Sequence, residues 1–327
     1  MKRKNIALVL LALVLTIGCI GSGLSEAQEK TRIAIVQPMS HTSLNQIRDT
    51  IVAELGDAYE VTTQDANGDT SALATIFENL KSQQVDIIVP IATPAAQSAK
   101  MVFEGSALPI VFAAVSDPVA AGLTGEDAKN ITGVSNNIPA DEIVKLIAHF
   151  QPDCQKIGFL YTSSETNSVS TIAAARKYCD ENGIAYEEAA ISALSDLPAA
   201  VNTLLSKGVE ALYTGNDNTI ASAMPAYIDI AYGNGIPVYC GADSMVADGG
   251  FATIGVDYVQ LGRQVAELVR KVDGGAAPAD LPYEVLSDYA RFVNLQAADR
   301  LGLAVSDEAL ASYGILVEKD GTNHFGK

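Results

Sequence analysis

Short apolar runs alternate with longer amphipathic segments from residue 32 onward. The runs consist mainly of β-branched side chains, and the segments between them place apolar residues at helical spacing. Continuous apolar strands separated by helices of about 10–15 residues are typical of a parallel sheet covered on both faces. The pattern predicts strands at residues 32–37, 59–63, 85–90, 109–114, 156–161, 185–190, 211–214, 237–240 and 251–255.

This series of strand and helix units occurs twice. The second set begins at Lys156 with a strand and a long helix that ends near Gly183, a residue suited to stopping a helix. The segment Asn130–Ser135 has no helix of its own and lies between the sets, so it is the predicted crossover. We therefore expect an α/β fold with two Rossmann-like lobes, each with a parallel sheet, joined by a hinge. The first lobe has predicted helices over residues 43–55, 70–82 and 93–103.

The N-terminal segment has the parts of a secretory signal. Three basic residues at 2–4 precede an apolar run over 6–17, which is too short for a permanent membrane-spanning helix. Cys19 lies just after this run and resembles the cysteine of a bacterial-type lipobox, which is acylated and becomes the new N-terminus. Thr16 departs from that pattern, because Leu is usual there, and ordinary cleavage after Ala27 is the alternative. Either processing route predicts an exported protein, at the cell surface or in the periplasm.

The charge of the chain excludes several kinds of partner. The formal net charge is −18, and it falls to about −21 once the three basic residues of the signal are removed. Such acidity disfavours nucleic acid and anionic lipid, so any membrane attachment is expected to be through a lipid anchor. A chain of 327 residues, about 310 of them mature, suggests two domains.

Two cysteines could pair in an oxidising compartment. Cys154 precedes a predicted strand, and Cys179 lies near the end of the helix that follows it. A helix that runs back across its strand ends near the start of that strand, so a Cys154–Cys179 disulfide is geometrically feasible, with two free thiols as the alternative. Cys240 lies in an apolar strand and is expected in the core.

Candidate ligand-binding residues lie at the carboxyl ends of the strands, where ligands collect in parallel α/β sheets. These loops are rich in hydroxyls, amides and isolated carboxylates and contain no Lys or Arg. Thr93, as an N-cap before Pro94, begins a helix whose free N–H groups can hold a carboxylate. An anion-accepting helix start opposite a carboxylate suits a zwitterionic ligand.

We therefore expect the ligand carboxylate to meet Thr93 and the N–H of Ala95 or Ala96, and the ammonium group to meet Asp217. The same loops contain further expected pocket residues: Gln37, Ser40, Asp117, Asn167, Asn218 and Asp243. For each polar residue, a simple capping or turn role is the alternative. Three aromatic side chains, Phe112, Tyr161 and Tyr213, could form apolar walls or belong to the core.

Catalytic and cofactor motifs are missing from the sequence. It contains no nucleophile elbow, zinc-protease helix, P-loop or dinucleotide fingerprint. Of the three histidines, only His41 lies at the carboxyl end of a predicted strand, and no nucleophile accompanies it at a fixed spacing. The carboxylates are dispersed, so no metal site is expected. We predict a binding protein with no cofactor, and not an enzyme.

A series of motifs in a fixed order resembles one known family: the substrate-binding proteins of ABC transporters associated with tryptophan and tyrosine uptake, which have a type I periplasmic-binding fold. The resemblance covers the chain from Arg32 to about Leu303. The matching segments are 33–37, 92–97, 109–118, 121–123, 130–135, 165–168, 217–219, 258–262 and 293–295. One departure concerns the ligand, because Ser40 and Asn45 stand where the family commonly has acidic residues.

The resemblance implies a cleft between two lobes that closes on a small molecule and delivers it to ABC permease subunits, with an aromatic amino acid favoured. It also implies that the chain crosses between lobes near Val134, Asp257 and Leu281. A ligand-sensing protein that docks on a membrane receptor has the same fold and stays an alternative. The expected spans are a signal peptide at 1–18, a linker at 19–30, lobe 1 at 31–134 plus about 257–280, lobe 2 at 135–256 plus about 281–317, and a tail at 318–327.

Overall fold

Two predominantly parallel sheets form the framework of the protein. The structure is a computed structural model that describes residues 29–286 and 289–325. The chain from Thr31 onward forms one compact unit that contains both sheets. The predicted signal peptide at 1–18, the lipidation site Cys19 and most of the predicted linker at 19–30 lie outside the described residues. Within the described ranges, no helix combines the length and apolar character needed to cross a membrane.

The first sheet is entirely parallel and has six strands in the order β11-β5-β4-β3-β1-β2. Its strands at residues 87–90, 110–113 and 131–135 are buried along their whole length, as expected when helices cover both faces. The strands are β1 (Arg32–Gln37), β2 (Glu60–Asp65), β3 (Ile87–Pro90), β4 (Ile110–Ala113), β5 (Ile131–Ser135) and β11 (Glu284–Val285).

The second sheet has seven strands in the order β13-β12-β10-β9-β8-β6-β7. These strands are β6 (Lys156–Thr162), β7 (Ala185–Ile191), β8 (Ala211–Thr214), β9 (Val238–Cys240), β10 (Ala252–Val256), β12 (Tyr289–Asn294) and β13 (Gly314–Val317). Strand β12 is antiparallel to β10, a pairing that the sequence pattern did not predict. Val256 at the end of β10 pairs with Tyr289 at the start of β12. The chain therefore leaves the sheet at the carboxyl end of β10 and returns to it at that same end. Strand β12 consequently runs in the opposite direction to β10.

Helices follow most of the strands, as the amphipathic segments predicted. The helices are α1 (Thr42–Leu55), α2 (Thr70–Ser82), α3 (Thr93–Val102), α4 (Ala140–Phe150), α5 (Thr166–Asn182), α6 (Leu197–Ser206), α7 (Asn218–Ala221), α8 (Met224–Gly233), α9 (Asp243–Ala247), α10 (Tyr258–Asp273), α11 (Leu295–Leu301) and α12 (Asp307–Ser312). Gly183 ends α5 in a left-handed conformation with φ of 67°, the role predicted for it.

The chain passes between the two sheets at three places. We call the first sheet and its helices lobe 1, and the second sheet and its helices lobe 2. The predicted crossover Asn130–Ser135 is strand β5, the last strand of lobe 1 before α4. After β10, helix α10 packs against α1, and an ideal Cβ on Gly262 would lie 2.7 Å from Cβ of Thr50. Val285 still pairs with Ser135, so the last crossing follows Val285, a few residues later than the expected position near Leu281.

The cysteines of lobe 2 are free thiols in the structure. Cys179 and Cys240 are fully buried, which confirms the core position expected for Cys240. Cys154 is half-buried, and its thiol donates to the carbonyl of Lys156 at 3.8 Å. Burial raises the pKa of Cys179 to about 11, so this side chain behaves as a small apolar group. Of the two alternatives for Cys154 and Cys179, the structure has the free thiols and not the disulfide.

Candidate functional site

The carboxyl ends of strands from both sheets face one another across a narrow cavity. Both lobes contribute walls, and most of the wall residues directly follow a strand or begin a helix, as expected for ligand sites in parallel α/β sheets. The lining residues are His41, Ser43, Leu44, Thr93, Ala114, Ser116, Asn136, Asn167, Asn216, Asp217, Asn218, Ala221, Ala242, Met245 and Tyr258. Of the residues predicted from the sequence, Thr93, Asn167, Asp217 and Asn218 lie in this wall.

The start of helix α3 brings Thr93 to the cavity in a different role from the predicted one. The N-cap is Ala92, so Thr93 is the first helical residue and its hydroxyl caps nothing. Its Oγ1 is buried without a hydrogen-bond partner among the described residues. The N–H of Ala96 makes the first hydrogen bond of the helix, to the carbonyl of Ala92 at 3.1 Å. The N–H of Ala95 lies one residue earlier and has no partner within the helix. Of the two N–H groups proposed for a carboxylate, that of Ala95 is the available one.

Two strand ends beside the cavity have strained backbones. Ala92 and Ala114 follow β3 and β4 with φ of 70° and 56°, in the left-handed region that residues with a Cβ rarely adopt. The N–H of Ala92 donates to Ala113 at 2.9 Å, and that of Ala114 donates to Val134 at 2.9 Å. The sheet therefore holds both residues in place. Such strain collects at functional sites, where it places neighbouring groups accurately.

Asp217 is a fully buried carboxylate at the start of α7. It accepts hydrogen bonds from the N–H of Thr162 at 2.6 Å, the hydroxyl of Thr162 at 2.9 Å and the N–H of Ile220 at 2.9 Å. Burial, and then the nearby Glu165 carboxylate, raise the pKa of Asp217 to about 7. The predicted alternative, a helix cap, is thus part of its role. Its position in the cavity wall keeps it available to a cation as well.

Four buried polar atoms of the cavity wall have no hydrogen-bond partner within residues 29–286 and 289–325. Buried polar groups are nearly always paired, so each such atom in a native structure needs an explanation. Gathered on one cavity, they are the groups that a polar ligand would satisfy. The atoms are Nδ1 of His41, Oγ1 of Thr93, Oδ1 of Asn167 and Oδ1 of Asn216.

Comparison with known proteins identifies the family to which this chain belongs. Residues 32–315 match the profile of a family described as ABC transporter substrate binding protein. The chain belongs to this family. It is an extracytoplasmic solute-binding component of an ABC importer, with a type I periplasmic-binding fold. The resemblance noted in the sequence is confirmed.

Several relatives of this substrate-binding protein are similar along most of its length. A tyrosine-binding protein of Clostridioides difficile (strain R20291) is 30% identical over 332 residues, which cover 94% of this chain and 95% of that protein. An ABC domain from Streptococcus pneumonia, solved in complex with L-Trp, is 32% identical with a TM-score of 0.82 and covers 88% of this chain and 99% of its own. A ligand-free, open substrate-binding protein from Clostridium difficile is 30% identical with a TM-score of 0.65, covering 87% and 98%.

Hydrogen bonds between the lobes hold the substrate-binding protein in a closed arrangement. Thr42 donates to Asp248 at 3.1 Å, Gln97 donates to Thr166 at 3.3 Å, and the hydroxyls of Ser43 and Ser244 are in contact. The higher TM-score to the L-Trp complex than to the open structure, at nearly equal identity, agrees with closure. Residues at the starts of α1 and α3 make these contacts, so closure and cavity geometry depend on the same loops.

Other predicted site residues lie outside the wall of this cavity. Gln37 is buried and donates to Met39, Asn45 and Asp65 at 2.9–3.1 Å, which orders the loop after β1. Ser40 is exposed at the cleft mouth and bonded to Asn45. These side chains support or border the site of the substrate-binding protein.

The remaining predictions for the pocket have equally local roles. Asp117 accepts from the N–H of Ala120 at 2.9 Å as a turn residue. Asp243 is buried beside Ala242 of the wall, accepts from the N–H of Ser244 at 2.7 Å, and has its pKa raised to about 7 by burial. The side chains of Ala95 and Ala96 lie on the buried face of α3. The aromatic candidates Phe112, Tyr161 and Tyr213 are absent from the wall.

Sequence reasoning missed several residues of the cavity that lie at predicted strand ends. Ser116 and Asn216 are in loops that the strand-end rule had already selected, next to the chosen Asp117 and Asp217. Asn136 and Tyr258 follow the strands β5 and β10, where the chain crosses between lobes. The same rule applied to crossover strands would have found them. The apolar walls come instead from Leu44, Ala114, Ala221, Ala242 and Met245.

Proposed function

We propose that this protein binds an aromatic amino acid as a zwitterion in the cavity between its lobes and delivers it to ABC permease subunits. The observation that carries the proposal is the convergence of unpartnered buried polar atoms on one cavity between the lobes. The carboxylate is held by the hydroxyl of Thr93 and the N–H of Ala95. The ammonium group lies beside Asp217 and the lone-pair acceptors around it.

The similarity to a tyrosine-binding protein and to a structure in complex with L-Trp supports an aromatic side chain on the ligand. Leu44, Met245 and the ring of Tyr258 supply apolar surface for such a side chain within the same cavity. We propose no catalytic step. Binding and release need only differential contacts in the open and closed arrangements.

Calorimetry on protein that has been unfolded and refolded to remove endogenous ligand tests this proposal. The titrants are the twenty amino acids, together with dipeptides, nucleosides and sugars. L-Trp or L-Tyr is expected to bind most tightly, because the relatives named above bind tyrosine or hold L-Trp and the cavity wall combines polar groups with apolar surface. Binding of a sugar or nucleoside alone, or of nothing in the panel, would contradict the proposal.

Titrations with ligand analogues and at different pH values test how the carboxylate and the ammonium group of the ligand are recognised. Tryptamine lacks the carboxylate and indole-3-propionate lacks the ammonium group, so both should bind more weakly than L-Trp. An ammonium group beside Asp217 lowers the carboxyl pKa from its value of about 7 in the free protein. Binding should therefore release protons at pH 7 and weaken as the pH falls below 7, which titrations in buffers of different ionisation enthalpy measure. Tryptamine serves as the control that keeps this proton release.

We further propose that Cys19 anchors the mature protein to the membrane through a lipid. The support is the signal-like segment that precedes it and the acidic composition, which gives the protein no electrostatic affinity for anionic lipid. Changing Cys19 to Ser is expected to release the protein from the membrane fraction. Mass spectrometry of the mature N-terminus is the direct measurement, and an unacylated N-terminus after Ala27 would refute the anchor.

A further inference from the structure

Glu165 is a buried carboxylate, 4% exposed, that lies behind the cavity wall of lobe 2. Its Oε1 accepts from the N–H and the hydroxyl of Thr219 at 2.9 and 2.8 Å. Its Oε2 accepts from the N–H of Asn218 at 3.0 Å, from Nδ2 of Asn218 at 2.6 Å and from Nδ2 of Asn167 at 3.2 Å. Both oxygens face backbone N–H groups, which can only donate, so the carboxylate acts as an acceptor on every side.

The Glu165 carboxylate determines the orientation of the side-chain amides of Asn167 and Asn218, because it accepts a hydrogen bond from each of them. The Nδ2 groups of Asn167 and Asn218 must face Glu165, so their Oδ1 atoms face away from it. A second bond supports the same orientation of Asn167, since its Nδ2 also donates to the carbonyl of Asn216 at 2.6 Å. Oδ1 of Asn167 is therefore a lone-pair acceptor in the cavity wall, without a partner among the described residues.

The orientation of Asn218 in turn determines the tautomer of His41. Oδ1 of Asn218 lies 3.3 Å from Nε2 of His41 across the cleft, and an amide oxygen cannot donate. Nε2 must therefore carry the proton. Burial lowers the pKa of His41, so the ring is neutral at pH 7 and its Nδ1 has a bare lone pair. This Nδ1 is buried in the cavity wall with no partner inside the described ranges.

Two unpartnered atoms of the cavity wall, Nδ1 of His41 and Oδ1 of Asn167, are thus hydrogen-bond acceptors. Oδ1 of Asn216 joins the set, because Nδ2 of Asn216 is directed to the carbonyl of Asn136 at 3.4 Å. A group that satisfies several acceptors from one position needs several N–H bonds, which a primary ammonium group has. We propose that Glu165 is a positioning residue that turns His41 and Asn167 into acceptors for the ammonium group of the ligand. This inference rests on the proposed function for the identity of the ligand group, but not for the hydrogen-bond geometry.

The tautomer of His41 tests the positioning without any ligand. Nitrogen NMR on histidine-labelled protein distinguishes a proton on Nε2 from one on Nδ1, and the sequence has only three histidines to assign. Wild-type protein should have the Nε2 proton at His41. In Glu165→Ala the amide of Asn218 is free to rotate, and a mixture of tautomers is expected. A proton on Nδ1 in the wild type would overturn the proposal whether or not any variant folds.

Ligand selectivity tests the consequence. The ratio of the affinities for L-Trp and indole-3-propionate measures recognition of the ammonium group alone. In Glu165→Ala this ratio should fall about tenfold or more, because hydrogen bonds to the charged group are lost, while the affinity for indole-3-propionate changes little. An unchanged ratio together with an unchanged tautomer would refute the role of Glu165.

Two control variants separate positioning from general stability. Thr219→Val removes a donor to Oε1 of the same carboxylate but leaves the bonds of Oε2 to Asn167 and Asn218 intact. It should keep the tautomer and the selectivity ratio. Glu165→Gln can place its oxygen where Oε2 lies, so it should retain more of the ratio than Glu165→Ala. If no amino acid binds the wild type, the proposed ligand is wrong, and the tautomer measurement still decides the role of Glu165.

Discussion

Replacing Thr93 by valine is expected to weaken binding of the amino acid by about 10- to 100-fold, because one hydrogen bond to the ligand carboxylate is lost. The folded protein should keep or gain stability, by about 1 kcal/mol, since a buried hydroxyl without a partner is costly and valine has the same shape. Thr93 Oγ1 is such a group among the described residues. Lost affinity with retained stability marks a residue that serves the ligand and not the fold.

Calorimetry with L-Trp or L-Tyr and urea denaturation of the ligand-free protein measure the two effects. Thr132→Val is a matched control, because Thr132 is equally buried but its hydroxyl donates to Leu281 at 2.8 Å, outside the cavity wall. It should lose about 1 kcal/mol of stability and keep its affinity. Equal affinity of Thr93→Val and wild type would remove Thr93 from the site.

Replacing Gly133 by alanine is expected to destabilise the protein by about 3 kcal/mol or more. An ideal Cβ at this position would lie 2.2 Å from the backbone oxygen of Phe112 and 2.5 Å from its ring. Phe112 and Gly133 are neighbours in the β4–β5 register, in the centre of lobe 1. Backbone cannot move aside as a flexible side chain can, so the two strands would have to separate.

Urea denaturation of the ligand-free variant measures this loss. Gly233→Ala is the control, because Gly233 ends helix α8 in open space, with no atom within 4 Å of an added Cβ. There alanine should stabilise the helix by about 0.5 kcal/mol. Comparable stability of Gly133→Ala and wild type would show that β4 and β5 pack less closely than the structure has them.

The strand and helix pattern was predictable because each element has its own local signal. Buried strands such as Arg32–Gln37 contain a continuous apolar run, and helices such as Thr70–Ser82 have an apolar face. The antiparallel strand β12 was not predictable in this way. Its direction follows from the route of the chain between the lobes, which is a long-range property.

The position of the cavity was predictable from the sequence, but the set of side chains that lines it was not. The strand-end rule led to the correct loops, and Thr93, Asn167, Asp217 and Asn218 lie in the wall. Within one loop, however, Ser116 lines the cavity and its neighbour Asp117 does not, and this difference depends only on the local backbone conformation. Periodicity has no information on this at irregular positions such as Ala92 and Ala114, where φ is positive.

Glu165 illustrates the part of a site that sequence reasoning reaches least. It lies in a hydrophilic loop that the family resemblance and the strand-end rule both mark, but neither predicts that its carboxylate is buried. Its five hydrogen bonds come partly from Asn218 and Thr219, more than fifty positions along the chain. Only the fold brings these donors to one carboxylate.

The three passages of the chain between the sheets have a consequence for the order of folding. Lobe 1 is incomplete until β11 at Glu284–Val285 has been synthesised, because α10 and β11 belong to it. Lobe 2 in turn needs β13 at Gly314–Val317. Neither sheet is therefore complete until most of the chain has been synthesised, and contacts such as α1 with α10 join residues about 200 positions apart. We expect this late completion of both sheets to delay folding, which favours the proposed export.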